Sequence, residues 1–397
     1  SQYGKWIGIA LGFVVVVLVL LFTGILNPGN LSGAVVLISL VAAIALFAIM
    51  LKDKGLSPEE HSRVVAFIPL FIGTAAFFAL IAPFYWVRLG SGVLVLIASA
   101  AWHNPGVRFA VLGMGISQEN CQRIEALGKR LNVPVQMIEI SEKHFGSIPV
   151  RRSHLTRSTY LRLLIPQLMP DETRVIYMDC DMAVVGDLSL LDQIDLGDHP
   201  IAAVACPTPD HREVAATGVP DGKYVNAGLL VMNLPVWRRE NLAQLCLDLL
   251  TDPERPLLSE DQSAINIACR GRILYLPYRY NVYAAEATYR EVGKLPTDVA
   301  VLHYVVNVKP WLWNVSYGEI WQFHADRIRD LMPPPRPRKL SQRLTRLEMH
   351  RRMAFGLAMG RKKHWQRLKV RAAIRDGLVA SYLVAQRERL RKTGAHS

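Results

Sequence analysis

Arg174-Val-Ile-Tyr-Met-Asp-Cys-Asp-Met-Ala-Val-Val-Gly-Asp187 is an apolar run that ends on two carboxylates. Val175 to Met178 has the β-branched, apolar character of a buried strand. Side chains two apart on a strand share a face, so Asp179 and Asp181 aim at one point beyond the sheet. Two carboxylates placed together repel each other and resist desolvation unless a cation lies between them. Oxygen ligands at the end of an α/β strand suit Mg²⁺ or Mn²⁺ carrying a substrate diphosphate. A solvated strand-end turn would show the same two aspartates, so the rest of the chain has to decide.

With 397 residues the chain has room for two or three domains. Its formal charge of +13 is spread unevenly: residues 336–397 hold 18 Lys/Arg against 3 Asp/Glu, which leaves the body near neutral. Five cysteines (Cys121, Cys180, Cys206, Cys246, Cys269) form no Cys-x-x-Cys pair. Neither a zinc site nor a disulfide framework is indicated, as in a reducing compartment. The first residue is Ser1 rather than Met, the pattern of a fragment or a processed product.

Ile7 to Leu26 is uncharged and long enough to cross a bilayer, and Leu31 to Leu51 is a second such run after the turn Asn27-Pro-Gly-Asn30. Val64 to Val87 is a third, interrupted by Pro69, Gly73 and Pro83. Two to three membrane helices are therefore expected in residues 1–87. Lys52, Lys54 and Arg63 place the second loop and Lys5 in the cytoplasm by the positive-inside rule. Three full spans would put everything after Arg88 outside, and two would leave it in the cytoplasm. Residues 1–81 also resemble a piece of a proton-coupled oligopeptide transporter, on Phe67-Ile-Pro-Leu-Phe-Ile-Gly-Thr-Ala-Ala-Phe-Phe-Ala-Leu80 and the apolar runs before it. Two or three spans form no transport pathway, so this piece reads as a fusion segment.

From Gly92 the pattern changes. Gly92 to Ala101 reads as a helix, Val107 to Leu112 as a strand, Ser117 to Leu131 as an amphipathic helix and Val133 to Ile140 as a strand. Such alternation predicts a parallel α/β sheet. Gly113-Met-Gly115 lacks the third glycine of a dinucleotide fingerprint. Next come a helix in Ser158-Thr-Tyr-Leu-Arg-Leu-Leu-Ile-Pro-Gln-Leu-Met-Pro170 and the Asp179/Asp181 strand. Tyr224-Val-Asn-Ala-Gly-Leu-Leu-Val-Met-Asn233, Leu258-Ser-Glu-Asp-Gln-Ser-Ala-Ile-Asn266 and Val301-Leu-His-Tyr-Val-Val-Asn-Val-Lys-Pro-Trp311 follow.

These five blocks, in this order, resemble the retaining glycosyltransferases of family 8, with the bacterial lipopolysaccharide glucosyl- and galactosyltransferases as the most similar subgroup. The resemblance implies an α/β GT-A nucleotide-diphospho-sugar transferase fold over residues 88–332. It implies that Asp179, Asp181 and His303 hold Mn²⁺, with Mg²⁺ as the other candidate, against the diphosphate of a UDP-sugar. An imidazole among oxygens tilts the choice toward Mn²⁺. Lys309 would meet the β-phosphate, Arg162 and Asn226 would lie near the donor, and Asp261 and Gln262 would lie beside the anomeric carbon. A carboxylate or amide oxygen there could stabilise an oxocarbenium-like centre or act as nucleophile. A structural ion pair for Arg162 and a helix N-cap around Glu260 and Asp261 are the plain alternatives.

Two departures from the family pattern stand out. Val306 replaces a glycine in the His-x-x-Gly-x-x-Lys-Pro-Trp motif. In place of the uridine-binding Ala-x-Asp-x-x-Tyr, this chain has Ala79-Leu-Ile-Ala-Pro-Phe-Tyr85, which keeps only Tyr85 to stack on a base.

Pro333-Pro-Pro-Arg-Pro337 breaks the chain, and residues 333–397 read as basic amphipathic helices, about 339–358 and 362–391. Leu340, Leu344, Leu347, Trp365 and Leu368 among Lys and Arg suit an anionic membrane surface. Nucleic acid would attract the same charges, but no nucleic-acid-binding fold accompanies them. The expected function is transfer of glucose or galactose from UDP-glucose or UDP-galactose to a lipopolysaccharide-core or other glycan or lipid-linked acceptor. The expected location is the cytoplasmic face of a bacterial inner membrane. The alternative is a catalytically impaired fusion product with an incomplete donor pocket.

Overall fold

The computed structural model describes residues 86–87, 91–141, 157–252, 254, 257–292, 294–305, 309–313, 315–334, 336–337 and 340–393. The expected membrane runs, apart from Trp86 and Val87, the transporter-like segment, Tyr85 and Val306 all lie outside the described residues. Among the described residues no helix is long and apolar enough to cross a membrane.

The chain divides into two compact units. One joins residues 1–87 to residues 335–358; its described parts are a two-residue antiparallel pair (Trp86–Val87 with Arg336–Pro337) and a helix, Leu340–Ala358. The other, residues 88–334 with 359–397, carries the α/β domain. The segment read as a basic membrane-surface tail is thus divided. Its second half belongs to the compact unit of the α/β domain.

That domain opens with α1, Gly92–His103, whose Leu94, Val95, Ile97 and Ala98 are all buried. A helix this apolar cannot face water and becomes a core element. Strand β1 (Phe109–Gly113), helix α2 (Gln118–Leu131) and strand β2 (Val135–Glu139) follow, with β1 and β2 parallel. Ser117 caps α2 by accepting from the Asn120 amide, and Asn132 closes it in a left-handed conformation at φ 51°. Both are ordinary solutions to the unpaired groups at helix ends.

Arg157–Leu164 is a 3-10 helix rather than the expected α-helix, followed by a single α-turn, Ile165–Leu168. Pro166 lacks an N–H and restricts Ile165 before it, which breaks the run there.

The main sheet contains β3 (Arg174–Met178), β5 (Ile201–Ala205), β6 (Val225–Asn233) and β7 (Ile273–Tyr275), in the order β3-β6-β5-β7. A smaller sheet holds β4 (Met182–Val184), β8 (Val282–Tyr283) and β9 (Val301–His303), in the order β4-β9-β8. Strand–helix alternation led us to expect one parallel sheet. Among the described residues only β1-β2, β5-β7 and β8-β9 pair in parallel; β3-β6, β5-β6 and β4-β9 are antiparallel. The polypeptide leaves β3 through the Asp179–Asp181 turn and enters the second sheet as β4, so one parallel ladder cannot form.

Among the described residues β3 is a sheet edge, and its five residues are half-buried rather than fully enclosed. A cleft of about 1340 Å³ lies between β3 and β1 and reaches Asp179, Asp181 and Lys309. Helix α3 (Glu260–Ala268) flanks β6, and α4 (Gly318–Arg327) packs near α1.

Helix α5 is Leu340–Ala358 in the other unit; α6 (Lys362–Ile374) and α7 (Ala380–Thr393) lie on the α/β domain, linked by a π-helical turn. Ile374 and Val379 join the core cluster of α1 and β9. Each such buried aliphatic side chain contributes roughly 1.5–3 kcal/mol. The Trp102 indole donates to Gln386 at 2.7 Å, and the guanidiniums of Arg327 and Arg389 lie 3.7 and 4.2 Å from its ring. Tyr382 brings its hydroxyl 2.8 Å from Nε2 of both His103 and His324.

Candidate active site

Asp179 and Asp181 converge, though not by the strand alternation read from the sequence. β3 ends at Met178, and the carboxylates are presented by the tight turn between β3 and β4. The Asp179 amide donates to the Gly228 carbonyl at 2.8 Å, and the Tyr304 amide donates to the Asp181 carbonyl at 2.9 Å. These bonds pin the turn to β6 and to the end of β9.

His303, the last residue of β9, is 3 % exposed. Its Nε2 lies 3.2 Å from Asp181 Oδ1 and 3.9 Å from Asp179 Oδ2. One ligand atom from each of the three residues falls within 4.8 Å of the others. Nδ1 of His303 is 2.8 Å from Asn281 Oδ1, so the other ring nitrogen is the one that faces two carboxylates. That position needs a positive partner, either a proton or a cation. Two carboxylates and an imidazole fit a divalent ion of the Mn²⁺ type.

Gly228 leaves room for this arrangement. A Cβ there would sit 2.4 Å from His303 Cε1 and 3.0 Å from Asp179 Oδ2.

Arg162, in the last turn of the 3-10 helix, is the cationic centre of the site. Its guanidinium meets Asp179 Oδ1 at 3.0 Å, Asp261 Oδ2 at 3.1 Å and the Ala227 carbonyl at 2.5 Å. It also lies 4.7 Å from the centre of the Tyr177 ring, whose hydroxyl donates to Asp179 Oδ1 at 2.6 Å. Burial alone would lower the Arg162 pKa, but Asp179, Tyr177 and Asp261 outweigh it and hold the guanidinium charged. The structural ion pair expected as the plain alternative for Arg162 is thus present, with Asp179 and Asp261 as its partners.

Burial pushes the Asp261 carboxyl up to about 6, against the pull of Arg162 and with help from the charge of Asp179. Burial would raise Asp181 too, but hydrogen bonding and charge from His303 and Lys309 win and hold it well below the usual carboxylate range. The Lys309 ammonium donates to the Asp181 carboxylate and to the Tyr304 carbonyl, the latter at 2.7 Å.

Asn226 and Gln262 are present, but their amides are engaged within the protein. Asn226 Oδ1 accepts from the Gly228 amide at 3.1 Å and from Asn281 Nδ2 at 2.9 Å, and its Nδ2 donates to Gln262 Oε1 at 2.9 Å. Gln262 Oε1 also accepts from the Ala227 amide at 3.1 Å, while its Nε2 donates to the Tyr224 hydroxyl at 3.0 Å. Glu260 begins α3 at φ 39°, a left-handed conformation costly for a residue with a Cβ, and delivers Asp261 and Gln262 inward. Its carboxylate accepts from the Tyr160 hydroxyl.

Eight of the nine residues singled out in the sequence thus meet in one place; Tyr85 is outside the described residues. Asn281, fully buried, Tyr224 and Tyr177 were missed. Tyr177 and Tyr224 lie inside quoted blocks but were not singled out, Asn281 lies in none, and only the folded contacts show their part.

Comparisons with known proteins agree with this geometry. Residues 86–314 match the family model described as glycosyl transferase family 8. General stress protein A of Bacillus subtilis is 28% identical over 250 residues, covering 58% of this chain and 86% of that protein. Lipopolysaccharide 1,3-galactosyltransferase of Salmonella typhimurium is 28% identical over 234 residues, covering 55% of this chain and 69% of its own. Among solved structures, the galactosyltransferase LgtC in complex with donor and acceptor sugar analogues superposes with a TM-score of 0.52 at 25% identity. It covers 59% of this chain and 90% of its own.

Proposed function

Because this chain belongs to glycosyl transferase family 8 and is a hexosyltransferase, we propose that it moves glucose or galactose from a UDP-sugar to a glycan or lipid-linked acceptor, with retention and with Mn²⁺. The cluster of Asp179, Asp181 and His303, with Lys309 on Asp181, carries the reading. Asp179, Asp181 and Asp261 against Arg162 and Lys309 leave one net negative charge. A divalent cation reverses that to one net positive, which attracts a diphosphate. When bound, the ion supplies Lewis-acid stabilisation of the leaving diphosphate.

The chain's own residues do the rest. Lys309, released from Asp181, places a positive charge where the sugar–oxygen bond breaks. Arg162 holds Asp261 at a fixed position, where an ionised carboxylate stabilises positive charge at the anomeric carbon. The absence of a side chain at Gly228 keeps the space beside His303 open.

UDP release from UDP-glucose and UDP-galactose by the full chain, with Mn²⁺, with EDTA and in Asp181→Ala, tests the reading. Metal-dependent release lost in the variant supports it. No release with either donor from folded protein overturns it and leaves the impaired fusion product.

We further propose that residues 362–393 lie against an anionic membrane surface on the cytoplasmic side of a bacterial inner membrane, near a lipid-linked acceptor. Trp365 and Leu368 are exposed beside Lys362, Lys363 and Lys369. Interfacial helices combine apolar and basic groups in this way. Cosedimentation with phosphatidylglycerol vesicles should be lost in Trp365→Ser/Leu368→Ser; binding that survives the double substitution removes that face from the contact.

A further inference from the structure

The metal-binding histidine stands at one end of a hydrogen-bond chain that runs in a single direction through the protein. Nδ1 of His303 faces Asn281 Oδ1 at 2.8 Å; Asn281 Nδ2 donates to Asn226 Oδ1, and Asn226 Nδ2 donates to Gln262 Oε1, each at 2.9 Å. Gln262 Nε2 continues to the Tyr224 hydroxyl at 3.0 Å, which lies 3.2 Å from Ser263 Oγ. Ser263 Oγ in turn donates to Glu213 Oε2 at 2.7 Å, and Ser259 Oγ donates to the other oxygen of the same carboxylate. Glu213 is 5 % exposed and Asn281 is fully buried.

The polarity of this chain is fixed at two levels. The backbone amides of Gly228 and Ala227 donate to Asn226 Oδ1 and Gln262 Oε1, so those atoms are oxygens and the opposite ends are NH₂ groups. Asn281 must then present NH₂ to Asn226, and its oxygen to the ring. At the far end both Glu213 oxygens accept from hydroxyls, which turns Ser263 toward Glu213 and leaves its oxygen to accept from Tyr224. An amide oxygen cannot donate, so Nδ1 of His303 must carry the proton. Nε2 is left to meet the carboxylate pair or a cation.

We propose that Asn281 is a positioning residue that holds the proton of His303 on Nδ1, and that Glu213 orients the relay from its other end. The relay joins the metal ligand to Gln262, so it couples the orientation of the metal side of the site to that of the sugar side. Hydrogen bonds aligned in this way reinforce one another in a low-dielectric interior. The proposal rests on the metal reading given above for its purpose, but not for its observable.

The test is ¹⁵N-histidine NMR on metal-free full chain, at a pH above the ring's titration, together with Mn²⁺ affinity by electron paramagnetic resonance. Wild-type protein should show His303 protonated at Nδ1. Asn281→Leu should move the proton to Nε2 and weaken Mn²⁺ binding about 10–100-fold, as loss of a ligand-orienting partner does. Asn281→Asp retains an acceptor for Nδ1–H and should restore the tautomer, which a mere packing role would not, although its second oxygen cannot donate to Asn226 Oδ1 as the amide does. Wild-type His303 unprotonated at Nδ1, or an Asn281→Leu variant with unchanged tautomer and affinity, overturns the proposal. Protonated Nδ1 with no Mn²⁺ binding by wild type would leave the relay standing and sink the metal reading alone.

Discussion

Arg162 and Asp261 lie 3.1 Å apart, and each side chain retains only 9 % of its exposure. A pair this enclosed adds little net stability, yet losing one partner strands the other's charge. Arg162 also serves Asp179, so Arg162→Met would strand two carboxylates. Urea unfolding of the metal-free protein should show a loss of about 3–5 kcal/mol. Arg162→Lys should recover only part of it, because an ammonium cannot span both partners as a guanidinium does. A Met variant as stable as wild type would remove the pair from the structural account.

Lys309 is paired with Asp181. If it shifts to the leaving diphosphate, Lys309→Met should lower kcat by about 10²–10³, with a smaller change in KM for the donor. Steady-state kinetics on UDP release separates the two. A rise in KM with kcat unchanged would make Lys309 a binding residue only.

Gly228→Ala would place a methyl carbon 2.4 Å from His303 Cε1, too close for any real contact. Either the ring or β6 has to give. Mn²⁺ binding should fall at least tenfold, comparable to loss of a ligand-orienting partner, while the far-UV circular dichroism stays that of a folded domain. Unchanged Mn²⁺ affinity would show that the ring can move freely and still bind.

The contacts of α7 predict a pH dependence of stability. Burial, then the charges of Arg389 and Arg327, lowers the His103 pKa to about 4, and burial with Arg327 pushes His324 down as well. The unfolded chain binds protons on these rings below about 6.5, whereas in the folded chain His103 resists until about 4 and His324 is held well below its usual value too. Their contribution is therefore complete above about pH 6.5 and is lost as pH falls through the window toward 4. Thermal melts from pH 8 to 4 should show a falling melting temperature across that range. Replacing both histidines with Gln should flatten the decline; an equal decline in the double variant would assign it to other groups.

The cluster of Asp179, Asp181 and His303 was legible in two ways: the aspartates as a pair ending an apolar run, and the histidine only through the family resemblance of its Lys-Pro-Trp block. Even there the reason was misread, since a turn and not the strand pleat brings Asp179 and Asp181 together. Asn226 and Gln262 were singled out for a place near the donor; that their amides also engage each other and neighbouring backbone could not be read from the sequence. Asn281 and Glu213 could not be read at all. A buried amide or carboxylate takes its role from partners far along the chain: 22 residues separate Asn281 from His303, and 50 separate Glu213 from Ser263. The docking of α6 and α7 was hidden for a related reason. Arg and Lys dominate their surface, and residues that bind the domain, among them Ile374, Val379, Tyr382 and Gln386, do so through partners that sequence spacing does not reveal.

The bond from Trp102 to Gln386 spans 284 residues. During synthesis the first helix of the domain therefore emerges long before the segment that covers it, at a rate of about 5–20 residues per second. Trp102, His103 and His324 wait through that interval without Gln386, Arg389 and Tyr382. The domain can finish folding only when the ribosome has let go of α7, so chains cut short after residue 334 are the ones that proteases and chaperones should meet first.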